Sequence, residues 1–154
     1  MGEKERLEKN WNWCKNYFER KNKEFNLKEW IIKKDNAKTT LGKTNYKKKQ
    51  ISISTYFLRG KSCDYKAIRN TILHEIAHVI VGPGFGHGKI WKLKAIEIGC
   101  DGKIYSKMDK PPGDYLLYCP NKCFKKEYYK KPKIEGKKCI KCKSVPKIKK
   151  LIKN

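Results

Sequence analysis

His74-Glu75-Ile76-Ala77-His78 is the stretch on which the fold and chemistry of this chain turn. A helix rotates about 100° per residue, so positions i and i+4 share a face one turn apart. Two imidazoles held that way can bind one Zn²⁺, and Glu75, one step round the helix, then sits beside the water on the metal. A catalytic zinc takes three protein ligands and keeps one position open. His74 and His78 supply two, and His87 is the third candidate because the chain has only 3 histidines. Glu75 is the candidate general base, taking a proton from the attacking water. The pattern predicts zinc-dependent hydrolysis of an amide bond.

The flanks agree with a helix that presents this motif to a cleft. Asp64 or Ser62 is a plausible N-cap. Ile68, Ile72, Ile76 and Val79 or Ile80 form a buried stripe that leaves His74 and His78 on a neighbouring face. Gly82-Pro83-Gly84 stops the helix, and Gly84-Phe85-Gly86-His87-Gly88 is a turn that can bring His87 back to the same metal. A third helix should follow with Ile90, Leu93 and Ile96 facing inward, Trp91 as a further candidate, and Gly99 as its C-cap. Upstream, Leu7, Trp11, Cys14, Tyr17 and Phe18 mark an amphipathic helix from residue 4 to about 24. Three short strands are expected between the helices. They lie at Trp30-Ile31-Ile32, at Thr39-Thr40-Leu41 with Gly42 and Asn45 as punctuation, and at the alternating Gln50-Ile51-Ser52-Ile53-Ser54.

Cysteine usage predicts a second metal site. Cys119 and Cys123 enclose three residues, and Cys139 and Cys142 enclose two. Two such knuckles supply four thiolates for a closed, structural zinc ribbon. Metal would give so small and polar a segment the folding free energy it lacks. Cys14, Cys63 and Cys100 stand alone and read as buried thiols. An odd count of 7 cysteines argues for a reducing interior rather than a disulfide framework.

The formal net charge is +24 over 154 residues. Solvated lysines account for part of that, but a field of this size attracts polyanions, nucleic acid first and an acidic membrane surface second. From residue 119 onward, 14 lysines face two acids. Tyr118, Phe124, Tyr128 and Tyr129 are interleaved with them, so lysines could pair with phosphates while rings stack unpaired bases. The expected partner is DNA, single-stranded or distorted. No apolar run approaches the ~18 residues of a membrane span, and the charged N-terminus does not read as a signal peptide. The expected setting is an intracellular, reducing compartment that holds DNA: cytoplasm or nucleoid, or a host cell if the chain is viral. With no heptad pattern, a monomer is expected.

The His74-Glu75-Ile76-Ala77-His78 motif, Gly86-His87-Gly88-Lys89-Ile90-Trp91 and the four-cysteine ribbon together resemble the SprT-like, Spartan-related family of metalloproteases. The resemblance runs from about Trp30 to Cys142. It implies zinc ligation by His74, His78 and His87, catalysis by Glu75, and DNA-dependent proteolysis of loose sequence preference. The first knuckle departs from the pattern by one extra residue. Tyr105 is a candidate second oxyanion donor and Met108 a candidate neighbour of the metal, and the sequence assigns neither role.

The sequence thus predicts an α+β chain, with a zincin-like protease domain over 1–110, a zinc ribbon over 115–146 and a basic tail over 147–154. The expected function is a zinc metalloendopeptidase acting on DNA-bound or DNA-crosslinked proteins, with one catalytic and one structural Zn²⁺. The alternative is a non-catalytic, transcription-associated DNA-binding ribbon protein whose histidine motif is only a scaffold.

Overall fold

The computed structural model describes residues 1–104 and 110–151, so Tyr105 and Met108 lie outside the described residues. The chain is α+β and divides into two compact units, Met1–Lys110 and Pro111–Asn154.

In the first unit, α1 (Glu3–Glu24) buries Leu7, Trp11, Cys14, Tyr17 and Phe18 along one stripe. Asn10 is buried beside them and donates to the Leu58 carbonyl at 2.9 Å. That bond ties α1 to α2 (Thr55–Arg59), a single turn that the sequence reading missed because its apolar residues are too few to show a period. Ser54 caps α2 by accepting from the Phe57 amide.

Three strands follow α1: β1 (Ile31–Asp35), β2 (Gly42–Asn45) and β3 (Gln50–Ser54). They pair in the order β1-β3-β2, with β1 parallel and β2 antiparallel to β3. The central strand buries Ile51 and Ile53 completely. The second strand is not at 39–41 as expected. It begins at Gly42, which was read as punctuation, because a strand packed closely against a helix needs a residue without a side chain at that point.

The motif helix, α3 (Tyr65–Val81), is capped by Asp64, whose side chain accepts from the Ala67 amide. Ile68, Ile72, Leu73 and Ile76 are completely buried. Burying four such side chains is worth on the order of 6–12 kcal/mol before entropy is counted. That outweighs the few tenths each isoleucine costs in helix propensity.

The helix α4 (Lys89–Glu97) contradicts the sequence reading of its inner face. Trp91 and Ala95 are fully buried, whereas Ile90, Leu93 and Ile96 are 55%, 59% and 53% exposed. The helix carries two apolar stripes and is too short for periodicity to choose between them. Trp91 decides it, since the indole fills the space under the histidines and Ala95 lets the helix approach α3. Gly99 does take a positive φ, just past the last turn.

The second unit is a three-stranded antiparallel sheet, ordered β5-β4-β6, of β4 (Tyr115–Tyr118), β5 (Lys125–Tyr128) and β6 (Lys147–Lys150). The expected basic tail at 147–154 is therefore corrected at its start. Lys147–Lys150 is a strand whose alternating Ile148 pairs with Leu117, and lysine on its other positions costs nothing where they face water.

Candidate metal centre and cleft

All three histidines of the chain converge. His87 Nε2 lies 2.9 Å from His74 Nε2 and 3.1 Å from His78 Nε2. His74 and His78 owe this to the helix repeat. His87 owes it to the turn between α3 and α4, where Gly82, Gly84 and Gly86 all take positive φ with no atom near a would-be Cβ. Those glycines are there for backbone conformation, not for space.

Trp91 underlies the triad. Its ring centroid stands 4.5 Å from His74, 5.2 Å from His78 and 4.7 Å from His87. Its indole N–H donates to the His74 carbonyl at 3.3 Å. His74 also has a hydrogen bond to the Lys103 backbone, which fixes which ring nitrogen faces the triad. Burial, followed by the neighbouring imidazoles, pushes His74 down to about 4. Burial, then His87, does the same to His78, and burial lowers His87. Three imidazoles held neutral at pH 7 with their nitrogens converging are a donor set for a borderline-soft dication. With His87 Nε2 this close to both of the others, the three side chains could hold one zinc ion together.

Glu75 is 6% exposed, and burial raises its carboxyl to about 7, with the Thr44 hydrogen bond pulling the other way. Gly42 and Thr44 of β2, and Tyr46 just past its end, address this part of α3 at alternate positions. A Cβ on Gly42 would stand 2.9 Å from Glu75 Oε1 and 3.1 Å from the Thr71 methyl. The Thr44 hydroxyl donates to Glu75 Oε2 at 2.7 Å. The Tyr46 hydroxyl reaches the His78 carbonyl at 2.9 Å and the Gly82 carbonyl at 3.2 Å, bracing the helix end from which the glycine turn departs. The sequence reading missed all three. Their alternation, Gly-x-Thr-x-Tyr, was the available signal, hidden once the strand was placed at 39–41.

These residues and the three histidines line a cleft of about 560 Å³ between β2 and α3. That volume suits a short stretch of polypeptide.

The four paired cysteines also converge. The sulfurs of Cys119, Cys123, Cys139 and Cys142 lie within 4.8 Å of one another. The extra residue in the first knuckle does not prevent this, because Lys122 takes φ +58° and closes the turn with a hydrogen bond to the Cys119 carbonyl at 2.9 Å. Hydrogen bonds from Ser144 and Asn121 push the Cys142 thiol down to about 5. The neighbouring Cys123 is pushed up to about 12, chiefly by its hydrogen bond with Cys142. Four sulfurs this close cannot all ionise without a cation among them, so the set fits a metal such as zinc.

Among known proteins, the model of the SprT-like family matches residues 8–110. No curated protein and no solved structure matches the chain.

Proposed function

Since the chain belongs to the SprT-like family, we propose that it is a zinc-dependent endopeptidase that cuts proteins bound or crosslinked to DNA. The observation that carries the hydrolytic part is the convergence of three neutral imidazoles beside one buried carboxylate. His74, His78 and His87 would hold the ion. Bound there, zinc supplies Lewis acidity and lowers the pKa of water.

Glu75 does the proton work. Thr44 occupies Oε2, which leaves Oε1 free to accept the proton of the attacking water and to return it to the departing amine nitrogen. A carboxyl raised to about 7 by burial is well matched to both halves of that task. The substrate lies extended along β2. Among the described residues that strand pairs only with β3, so its other edge offers backbone donors and acceptors to a peptide.

The DNA part rests on charge and on the ribbon sheet. Directly opposed residues of antiparallel strands share a face. Tyr118 therefore stands between Lys125 on one side and Lys147 on the other, with Lys149 in the next row beside Leu116. Such a face can stack an unpaired base on the ring and bind phosphates with the lysines. Holding substrate and protease on one strand raises their effective concentration.

The test is proteolysis of a DNA-binding protein as single-stranded DNA is titrated in. DNA should accelerate cleavage at low salt and lose that effect at high salt. Cleavage of a single site, indifferent to DNA, would instead indicate a processing protease with one protein partner.

A further inference from the structure

The charge of this protein is not confined to the ribbon. Met1–Lys110 alone carries 25 lysines and arginines against 12 acids. On this unit, away from the cleft residues, three aromatic rings form a ladder across α1 and α3. Trp13 stacks on Tyr17 with centroids 5.0 Å apart and planes 7° from parallel. Its other neighbour is Tyr65, at 5.0 Å and 17°. The ladder is anchored inside, where Tyr17 is 5% exposed, and open outside, where Tyr65 is 43% exposed.

Cations fringe both ends. Lys9 Nζ lies 5.7 Å from the Tyr65 centroid, and the Arg20 guanidinium 5.4 Å from that of Tyr17. Arg69 Nε donates to the Tyr17 hydroxyl at 3.4 Å. All three are exposed. Of the acids adjacent in sequence, Asp64 is engaged as a helix cap and Glu8 pairs with Lys34 at 4.0 Å, while Glu19 stands beside Arg20. Core packing explains Tyr17 and the inner part of Trp13. It does not require the stack to extend to Tyr65, which is 43% exposed and has the Lys9 ammonium over its ring.

We propose that this ladder is a second contact for unpaired nucleic acid, on the catalytic unit itself, with one base stacked on Tyr65 and the adjoining phosphates on Lys9, Arg20 and Arg69. Parallel rings spaced for stacking select a planar aromatic ligand, and the surrounding cations select one that carries phosphates. Nucleic acid with unpaired bases meets both demands, whereas duplex ends its stack at the base pairs and offers phosphates alone. The proposal rests on the nucleic-acid part of the function above, and adds that the protease unit grips the strand independently of the ribbon.

The experiment is fluorescence anisotropy of a labelled oligothymidylate with the full chain, comparing wild type with Tyr65→Ala, Tyr65→Leu and Tyr65→Phe. Circular dichroism and zinc content serve as checks on folding. The aliphatic variants should bind five-fold or more weakly, and Tyr65→Phe, which keeps the ring, should bind like wild type. Lys9→Ala and Arg20→Ala should each lower the salt slope by about one phosphate contact. A blunt duplex should not distinguish Tyr65→Leu from wild type. If wild type binds the oligonucleotide and the folded aliphatic variants bind it equally well, the ladder is not a contact. A loss that is equal on duplex would also overturn it. If wild type shows no salt-sensitive binding at all, the nucleic-acid reading of the whole protein fails first.

Discussion

Thr44 donates its hydroxyl hydrogen to Glu75 Oε2 across 2.7 Å, joining an edge strand to the carboxylate at the centre of the site. The bond fixes the carboxylate rotamer and stabilises its charged form, against a burial that favours the protonated one. A hydrogen bond to a charged group is worth about 1.5–3 kcal/mol, or ten- to a hundred-fold in rate if it acts in the transition state. Thr44→Val should therefore lower kcat by at least ten-fold while zinc content stays at the wild-type level. Thr44→Ser should restore most of the rate, because the serine hydroxyl can make the same bond. Full activity in Thr44→Val together with a loss in Thr44→Ser would mean that the methyl group, not the hydroxyl, matters.

Gly42 makes a separate claim on the same carboxylate. A methyl there meets Glu75 Oε1 at 2.9 Å and the Thr71 methyl at 3.1 Å, both on a rigid helix face. Overpacking of this kind costs about 1–3 kcal/mol. Gly42→Ala should lower the melting temperature and cut activity more than stability alone explains, since it displaces the carboxylate proposed as the general base. Thermal melts beside steady-state kinetics separate the two effects.

Much of the site was legible before the structure. Helical spacing paired His74 with His78, His87 was the one histidine left to join them through the glycine turn, and the paired cysteines marked the second cluster, and both sets do converge. The supports were not legible. Gly42, Thr44 and Tyr46 act through tertiary approach of β2 to α3, and no local pattern says which helix a strand will face. The inner face of α4 was misread for a related reason. Ile90, Leu93 and Ile96 outscore Trp91 and Ala95 on apolar count, but the helix docks by the shape of one indole against three imidazoles.

Metal-free protein should show opposing titrations whose signs are fixed. The folded-state values of His74 and His78, near 4, lie below the ordinary histidine value of 6.5. The unfolded chain then binds more protons between those limits, so this contribution to stability is full above pH 6.5 and is lost as pH falls towards 4. Glu75 runs the other way. Its folded value near 7 lies above the ordinary 4.5, so its contribution is full below pH 4.5 and is lost as pH rises through 7. Glu75→Gln keeps an acceptor for Thr44 and removes that loss. Metal-free Glu75→Gln should match wild type near pH 4 and become more stable by about 3 kcal/mol above pH 7. Denaturant titrations at both pH values give the answer directly.

Thiol reactivity should divide the seven cysteines into two classes. Cys14, Cys63 and Cys100 are buried, and burial pushes the first two thiols up to about 12 and raises the third, so all three should resist a thiol reagent until the chain unfolds. Cys119, Cys123, Cys139 and Cys142 should be protected while metal is bound and become reactive after chelation. Reaction of the ribbon cysteines at the same rate with and without chelator would mean that they hold no ion.

The most direct test of the account is cleavage of a protein crosslinked to single-stranded DNA by wild type and by Glu75→Gln, each assayed for zinc and compared with the same substrate protein free of DNA. The account predicts that both carry zinc and bind DNA, that only wild type cleaves, and that the DNA-linked substrate is cut faster than the free one. Cleavage by Glu75→Gln at the wild-type rate, or by neither protein with zinc fully bound, would contradict it.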